Sequence, residues 1–166
     1  SGTDHVLEVG PGFGSLTVGL LDTGATVTSV EIDDRLVRAT QAVVDDRFED
    51  SHFDLLHADA LQRERLPPTV THLVADLPYN VAVPVVLHLL SLHTGFRRVL
   101  VMVQAEVGYR LAALPGTEAY GSPSVKPAWW GEWSVESTVA SRVFWPGPRV
   151  HRGLVGVTAR PVPGDE

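Results

Sequence analysis

A glycine-rich run follows a short apolar segment near the start of the chain. Residues 8–14 read Glu-Val-Gly-Pro-Gly-Phe-Gly. Glycines at alternate positions allow a sharp backbone turn and let a ligand approach where a Cβ atom would clash. A dinucleotide-binding fingerprint would require a glycine at position 15, which is Ser15 here. The run predicts a ligand-binding loop, and the alternative is a tight strand-to-helix turn with no ligand.

Two further acidic residues stand where predicted strands end. Glu31 closes the second predicted strand, and an acid at that tip can accept hydrogen bonds from both ribose hydroxyls of a nucleoside. Asp59, followed by Ala60, comes directly after the third predicted strand. The alternatives are an exposed carboxylate that opens the next helix for Glu31, and a helix cap or turn for Asp59.

The sharpest chemical signal is the tetrapeptide Asp76-Leu77-Pro78-Tyr79 at the end of the fourth predicted strand. In a doubly wound sheet, ligands bind at that edge. A side-chain oxygen and a backbone carbonyl there can accept both N–H groups of an aromatic amine, which orients the nitrogen and helps to localise its lone pair. Pro78 fixes the turn so that the Leu77 carbonyl points inward, and Tyr79 can stack on a flipped base or attract a sulfonium charge. A simple Pro-Tyr turn is the alternative.

The elements that must position these residues follow from hydrophobic periodicity. The predicted strands are 5–9, 26–32, 55–58, 72–75, 98–103, 137–144 and 153–158. The predicted helices are 16–21, 33–48, 81–92 and 105–113, with Pro84 in the first turn of the third. Strands that alternate with helices predict an α/β fold, a parallel sheet with helices on both faces.

Composition sets outer limits on function. The chain has 166 residues, 44% of them hydrophobic and 20% charged, and no cysteine, which is typical of one globular domain without disulfides or thiolate metal sites. No apolar run reaches the ~18 residues of a membrane span, and no signal peptide is recognisable, so we expect a cytoplasmic protein without a metal. The net charge of −7, with Lys126 the only lysine, disfavours nucleic-acid binding unless a local basic patch or further sequence supplies it.

These blocks together resemble a known family. The Glu-x-Gly-x-Gly-x-Gly run is similar to the S-adenosylmethionine-binding loop of class I methyltransferases, and residues 76–80 resemble the N-L-P-Y-N motif of the KsgA family of small-subunit rRNA adenine dimethyltransferases. Residues 103–107, 110–112, 115–116, 120–121 and 124–125 match the stretch after strand five and favour KsgA over the related Erm antibiotic-resistance methyltransferases. Residues 144–150 are similar to the family's F-x-P-x-P-K-V loop.

The resemblance implies a class I methyltransferase fold of the Rossmann-like type. Its sheet would have seven mostly parallel strands, the last one antiparallel, with helices on both faces. Residues 1–160 would form the catalytic domain, and residues 161–166 a tail. The family's N-terminal segment that closes over the cofactor and its C-terminal helical RNA-binding domain are expected to be missing from this sequence. We expect a monomer.

The resemblance also implies the site residues, with S-adenosylmethionine as the cofactor. The implied cofactor-binding residues are Glu8, Gly10, Gly12, Glu31, Ile32, Asp59, Ala60 and Asp76. The implied catalytic residues are Asp76, Leu77, Pro78, Tyr79 and Phe144. Asp59 would accept a hydrogen bond from the adenine amino group of the cofactor, and Tyr79 and Phe144 would sandwich the target base.

Besides the terminal regions, two positions and one stretch depart from the family pattern. Asp76 replaces an asparagine, although DNA adenine methyltransferases with a D-P-P-Y motif use aspartate in this role. Arg152 replaces a serine. The tryptophan-rich stretch 129–133 stands where a helix and a strand are expected, and Pro127 would weaken that helix. We expect its tryptophans to pack in the core, the alternative being a stacking platform for RNA.

The resemblance implies two successive methyl transfers to the N6 amines of adenines in small-subunit rRNA, during ribosome biogenesis. An Erm-like enzyme acting on large-subunit rRNA is one alternative. A non-catalytic assembly scaffold is a second alternative, favoured by the acidic charge, by Asp76 and by the missing terminal regions. An enzyme acting on a small-molecule or protein amine is a third.

Overall fold

The structure, a computed structural model, describes residues 4–139 and 152–159. The strands are β1 His5–Val9, β2 Thr26–Glu31, β3 Phe53–His57, β4 His72–Asp76, β5 Arg98–Gln104, β6 Gly131–Val139 and β7 Arg152–Ala159. The helices are α1 Ser15–Asp22, α2 Asp34–Arg47, α3 Tyr79–Leu92, α4 Ala105–Leu111 and α5 Ser122–Ala128, with a single 3₁₀ turn at Ala60–Gln62.

The described strands form one seven-stranded sheet in the order β3-β2-β1-β4-β5-β7-β6. The first five strands of this order are parallel to one another, whereas β7 runs antiparallel to both β5 and β6. The predicted sheet, including its antiparallel last strand, is therefore confirmed. In this topology the strand order reverses between β1 and β4, and the crevice outside their carboxyl ends is where doubly wound folds bind ligands.

Helices cover both faces of the sheet. This is required because buried apolar side chains of β1 point alternately to the two faces. Val6 lies in a core cluster with residues of α1 and α2, whereas Leu7 and Val9 lie in a larger cluster with residues of α3. Adjacent residues of a strand point to opposite faces, so a fully apolar strand must be covered twice. Burial of each large side chain such as Leu7 or Leu73 contributes about 1.5–3 kcal/mol. The carboxyl edge of the central strands is thus held on a rigid base.

Several element boundaries differ from the prediction, and those of α3 and β6 differ most in their consequences. Helix α3 begins at Tyr79, so Pro84 lies inside the helix and not in its first turn. Pro84 has no N–H to donate to the carbonyl of Asn80, which costs the helix one backbone hydrogen bond. Strand β6 begins at Gly131, six residues before the predicted start at Ser137, and α5 forms despite Pro127 within it.

The tryptophans of the 129–133 stretch have different environments. Trp133 is 9% exposed and belongs to the larger core cluster, and Trp130 packs against that cluster. Trp129 is 82% exposed at the end of α5. The prediction that these tryptophans pack in the core is therefore confirmed for Trp130 and Trp133 and wrong for Trp129, because the turn after α5 directs Trp129 to the solvent.

Candidate functional site

The glycine loop joins β1 to α1 and adopts backbone conformations that only glycine reaches easily. Gly10, Gly12 and Gly14 have φ values of +76°, +58° and +82°. A Cβ atom built on Gly10 would lie 2.9 Å from the backbone oxygen of Asp76. The loop is therefore pressed against the end of β4, and a side chain at position 10 would push the two apart.

Glu8 supports this loop from beneath. Its Oε2 accepts hydrogen bonds from Thr17 Oγ1 at 2.7 Å and Ser29 Oγ at 2.5 Å, while Oε1 has no hydrogen-bond partner among the described residues. Burial raises the pKa of the Glu8 carboxyl above its usual value, and the nearby Glu31 carboxylate adds to the shift. Glu8 was predicted to bind the cofactor, but its side chain links α1 to β2 and is absent from the cavity walls described below.

Glu31, the last residue of β2, is turned toward the glycine loop. Its Oε2 accepts from the backbone N–H of Gly12 at 3.3 Å, and its Oε1 accepts from that of Asp33 at 3.0 Å. Thr40 of α2 donates to the Gly12 carbonyl at 2.8 Å, so the loop is held from both sides. The carboxylate therefore stands at the cavity wall in a fixed position, where it can accept hydrogen bonds from a diol.

Asp59 caps a turn, which was the predicted alternative to ligand binding. Its Oδ1 accepts from the backbone N–H of Leu61 at 2.9 Å and so caps the 3₁₀ turn. The same residue lines the cavity beside Ala60, so capping and ligand binding are compatible at this position.

A first cavity of about 520 Å³ lies outside the carboxyl ends of β1, β2, β3 and β4. Most predicted cofactor-binding residues line it: Gly10, Gly12, Glu31, Ile32, Asp59, Ala60 and Asp76. Apolar side chains of Leu36, Val81 and Val85 complete its wall. Its volume is in the range of small-molecule sites, and its mixture of apolar side chains and four acidic residues, Glu31, Asp33, Asp59 and Asp76, suits a nucleoside.

The turn that joins β4 to α3, residues 76–79, is called the Asp76 turn. A second cavity of about 730 Å³ lies on its other side. Five residues line both cavities: Gly10, Gly12, Asp76, Leu77 and Pro78. Phe13, Met102 and Gln104 line only the second, and the Phe13 side chain is 75% exposed. Sequence reasoning missed these three residues, although the position of β5 next to β4 brings Met102 opposite Asp76 in the sheet register.

The turn after β4 separates the two cavities. Pro78 precedes the first residue of α3 and accepts from the backbone N–H of Ala82 at 3.1 Å, which anchors the turn to the helix. Tyr79 is the first residue of α3. Phe144, the predicted partner of Tyr79, lies outside the described residues.

Two negative observations concern only the described residues. No group of three or more histidine or carboxylate side chains is arranged to hold a metal ion there. None of the helices in that part of the chain is long and apolar enough to cross a membrane.

The strand order and the glycine loop at this edge of the sheet are those of a class I methyltransferase. A dimethyladenosine transferase from Plasmodium falciparum is 25% identical with a TM-score of 0.82, over 96% of this chain and 57% of that chain. The 23S rRNA methyltransferase ErmE is 26% identical with a TM-score of 0.79, over 96% of this chain and 62% of that one.

The sequence matches the model of the ribosomal RNA adenine dimethylase family over residues 1–165, and the chain belongs to this family. The ribosomal RNA small subunit methyltransferase A of Streptomyces coelicolor is 52% identical over 96% of this chain. The protein of that name from Thermobifida fusca is also 52% identical over 96% of the chain. This chain spans 57% of the length of each of these two relatives. The resemblance seen in the motifs is thereby confirmed.

Proposed function

We propose that the first cavity binds S-adenosylmethionine. The residues fit the group: Glu31 stands where it can accept from the ribose hydroxyls, Asp59 and Ala60 where they can meet the adenine, and Ile32 offers an apolar surface to the ring. Gly10 and Gly12 leave room for the ligand beside the backbone. Glu8 would act indirectly, by holding α1 and β2 in place around the loop.

The acceptor amine would sit at the Asp76 turn, facing the second cavity. The Asp76 carboxylate and the Leu77 carbonyl would accept the two N–H groups of an adenine N6 amine and orient its lone pair. When bound, S-adenosylmethionine would supply the methyl group to the nitrogen, the S–C electron pair would stay on sulfur, and the nitrogen would give up one proton. A carboxylate at position 76 can take up that proton. Pro78 would fix the turn, while Tyr79 and Phe144 would sandwich the base.

We propose adenines of small-subunit rRNA as the substrate, methylated in the cytoplasm during ribosome biogenesis. Relatives named ribosomal RNA small subunit methyltransferase A support this choice, because they are about twice as similar to this chain as ErmE, at 52% against 26% identity. The Erm-like alternative is therefore less well supported. Because the net charge is −7, RNA affinity would have to come from a local basic patch or from sequence outside these 166 residues.

One observation carries the proposal. The Gly10 backbone and the Asp76 carbonyl meet closely enough to form a common wall, and the same five residues line both cavities. Such a wall allows a donor in one cavity to meet an acceptor in the other.

The test combines two substitutions with two measurements. Asp76→Ala removes the acceptor oxygens, whereas Asp76→Asn keeps one of them. We expect calorimetric S-adenosylmethionine binding to survive in both, NADH to bind to neither, and labelled methyl transfer to small ribosomal subunits to be lost in Asp76→Ala and partly retained in Asp76→Asn. Full activity of Asp76→Ala would refute the assignment. Preferential transfer to large subunits would favour the Erm-like alternative.

A further inference from the structure

A histidine outside the predicted site contacts the backbone of the first cavity. His57 is the last residue of β3 and lies opposite Glu31 in the parallel register. Its Nε2 is 3.1 Å from the carbonyl oxygen of Ile32, and its Nδ1 is 4.0 Å from Asp34 Oδ1. Because a carbonyl can only accept, Nε2 carries the proton and donates to Ile32.

The segment that His57 contacts supplies two residues that line the first cavity, Glu31 and Ile32. Ile32 follows Glu31 directly and lines the cavity, yet its side chain is 64% exposed. The neighbouring backbone is tied on either side of it: the Glu31 carbonyl accepts from Ala58 N–H at 2.9 Å, and Asp33 N–H donates to the Glu31 carboxylate. The His57 contact adds a tie at the Ile32 carbonyl, at the point where the chain leaves β2 for α2.

This contact has little to offer the stability of the fold. The His57 side chain is 50% exposed, and an exposed hydrogen bond competes with water on both of its groups. Its geometric effect is specific, because fixing the Ile32 peptide fixes the direction of an apolar side chain that surrounding residues leave largely uncovered. A preorganised wall lowers the entropy that a ligand must overcome when it binds.

We propose that His57 is a positioning residue for the nucleoside half of the cofactor. It holds the Ile32 peptide so that the side chain is ready to pack against the adenine ring. This inference rests on the proposed function, since it takes S-adenosylmethionine as the ligand of the first cavity. It concerns cofactor affinity and not the transfer step.

The test compares three variants of the chain by calorimetry. His57→Leu removes the donor, His57→Gln keeps an N–H near the position of Nε2, and His52→Leu is a matched control at the exposed residue just before β3. The ligands are S-adenosylmethionine and 5′-methylthioadenosine, which keeps the nucleoside and lacks the amino-acid part. We expect His57→Leu to raise both Kd values by the same factor, about threefold, because an exposed hydrogen bond lies toward the lower end of the usual range.

The remaining results separate positioning from a merely structural role. We expect His57→Gln to stay within about twofold of the wild type, His52→Leu to bind normally, and kcat at saturating cofactor to be unchanged in His57→Leu. An unchanged Kd in His57→Leu, or a loss confined to S-adenosylmethionine, would overturn the inference while leaving the proposed function intact. If the wild-type chain bound neither S-adenosylmethionine nor 5′-methylthioadenosine, the cofactor assignment would be overturned, and the inference with it.

Discussion

Replacement of Gly10 by alanine tests the common wall between the two cavities. With φ at +76°, an alanine would occupy the left-handed region, at a cost of roughly 1–2 kcal/mol. Its Cβ would also lie 2.9 Å from the Asp76 oxygen and 3.1 Å from Leu77 Cδ2. Since the first of these atoms belongs to the backbone, the strand end must move, and overpacking of this kind costs about 1–3 kcal/mol more. We expect a total loss of about 2–5 kcal/mol of unfolding free energy.

Gly24→Ala is the matched control. Gly24 has nearly the same φ, +80°, but no atom lies within 4 Å of a Cβ built on it. Its substitution should therefore cost only the backbone term of roughly 1–2 kcal/mol. In a domain of this size each kcal/mol lowers Tm by about 2–4 °C. The difference in Tm between the two variants, measured by calorimetric scanning, isolates the contact between Gly10 and Asp76.

Activity should separate the two variants more sharply than stability. Movement of the Asp76 peptide displaces the Leu77 carbonyl that would orient the acceptor amine, and a misplacement of about 1 Å can cost about 10²-fold in rate. We expect methyl transfer by Gly10→Ala to fall by about that factor at a temperature where it is folded, with Gly24→Ala near the wild type. Equal Tm values for the two variants, together with full transfer by Gly10→Ala, would refute the reasoning.

Two further predictions concern buried groups. Because burial raises the pKa of Glu8 above its usual 4.5, the folded state binds a proton more tightly than the unfolded state, and stability falls as the pH rises from about 4.5 toward the folded pKa. Glu8→Gln cannot ionise, so its unfolding free energy relative to the wild type should rise over that pH range in urea titrations; a constant difference would contradict this explanation. Trp133→Ala should cost about 3–5 kcal/mol in the same assay because the side chain is buried. Trp129→Ala should stay within about 0.5 kcal/mol, and equal losses would show that exposure does not govern this stretch.

The sheet could be predicted from the sequence because its strands are short apolar runs separated by helical periods. Five parallel strands with intervening helices admit few arrangements, and the glycine loop and the Asp76 turn then fall at one edge. The presence of Glu31 and Asp59 at that edge followed from their positions at the ends of strands. Residues at strand ends were therefore predictable as neighbours, before any side-chain direction was known.

Side-chain direction is what the pattern could not supply. Glu8 stands two residues before Gly10, yet its carboxylate accepts from Thr17 of α1 and Ser29 of β2, which only the fold brings beside it. The early start of β6 was hidden because Pro127 and the tryptophans fit neither a helical nor a strand period. His57 could not be distinguished from any exposed histidine, because its contact depends on the neighbouring strand.

The central position of β1 also affects how the chain is made. Its first partner, β2, is synthesised soon afterwards, but the contact of His5 with Thr71 at the start of β4 spans 66 positions. At roughly 5–20 residues per second, translation takes about 3–13 s to cover that interval. During this time one edge of an apolar strand has no neighbour to pair with, which is a condition that favours wrong pairing or capture by a chaperone. The strand that anchors both cavities is thus exposed for longest during synthesis.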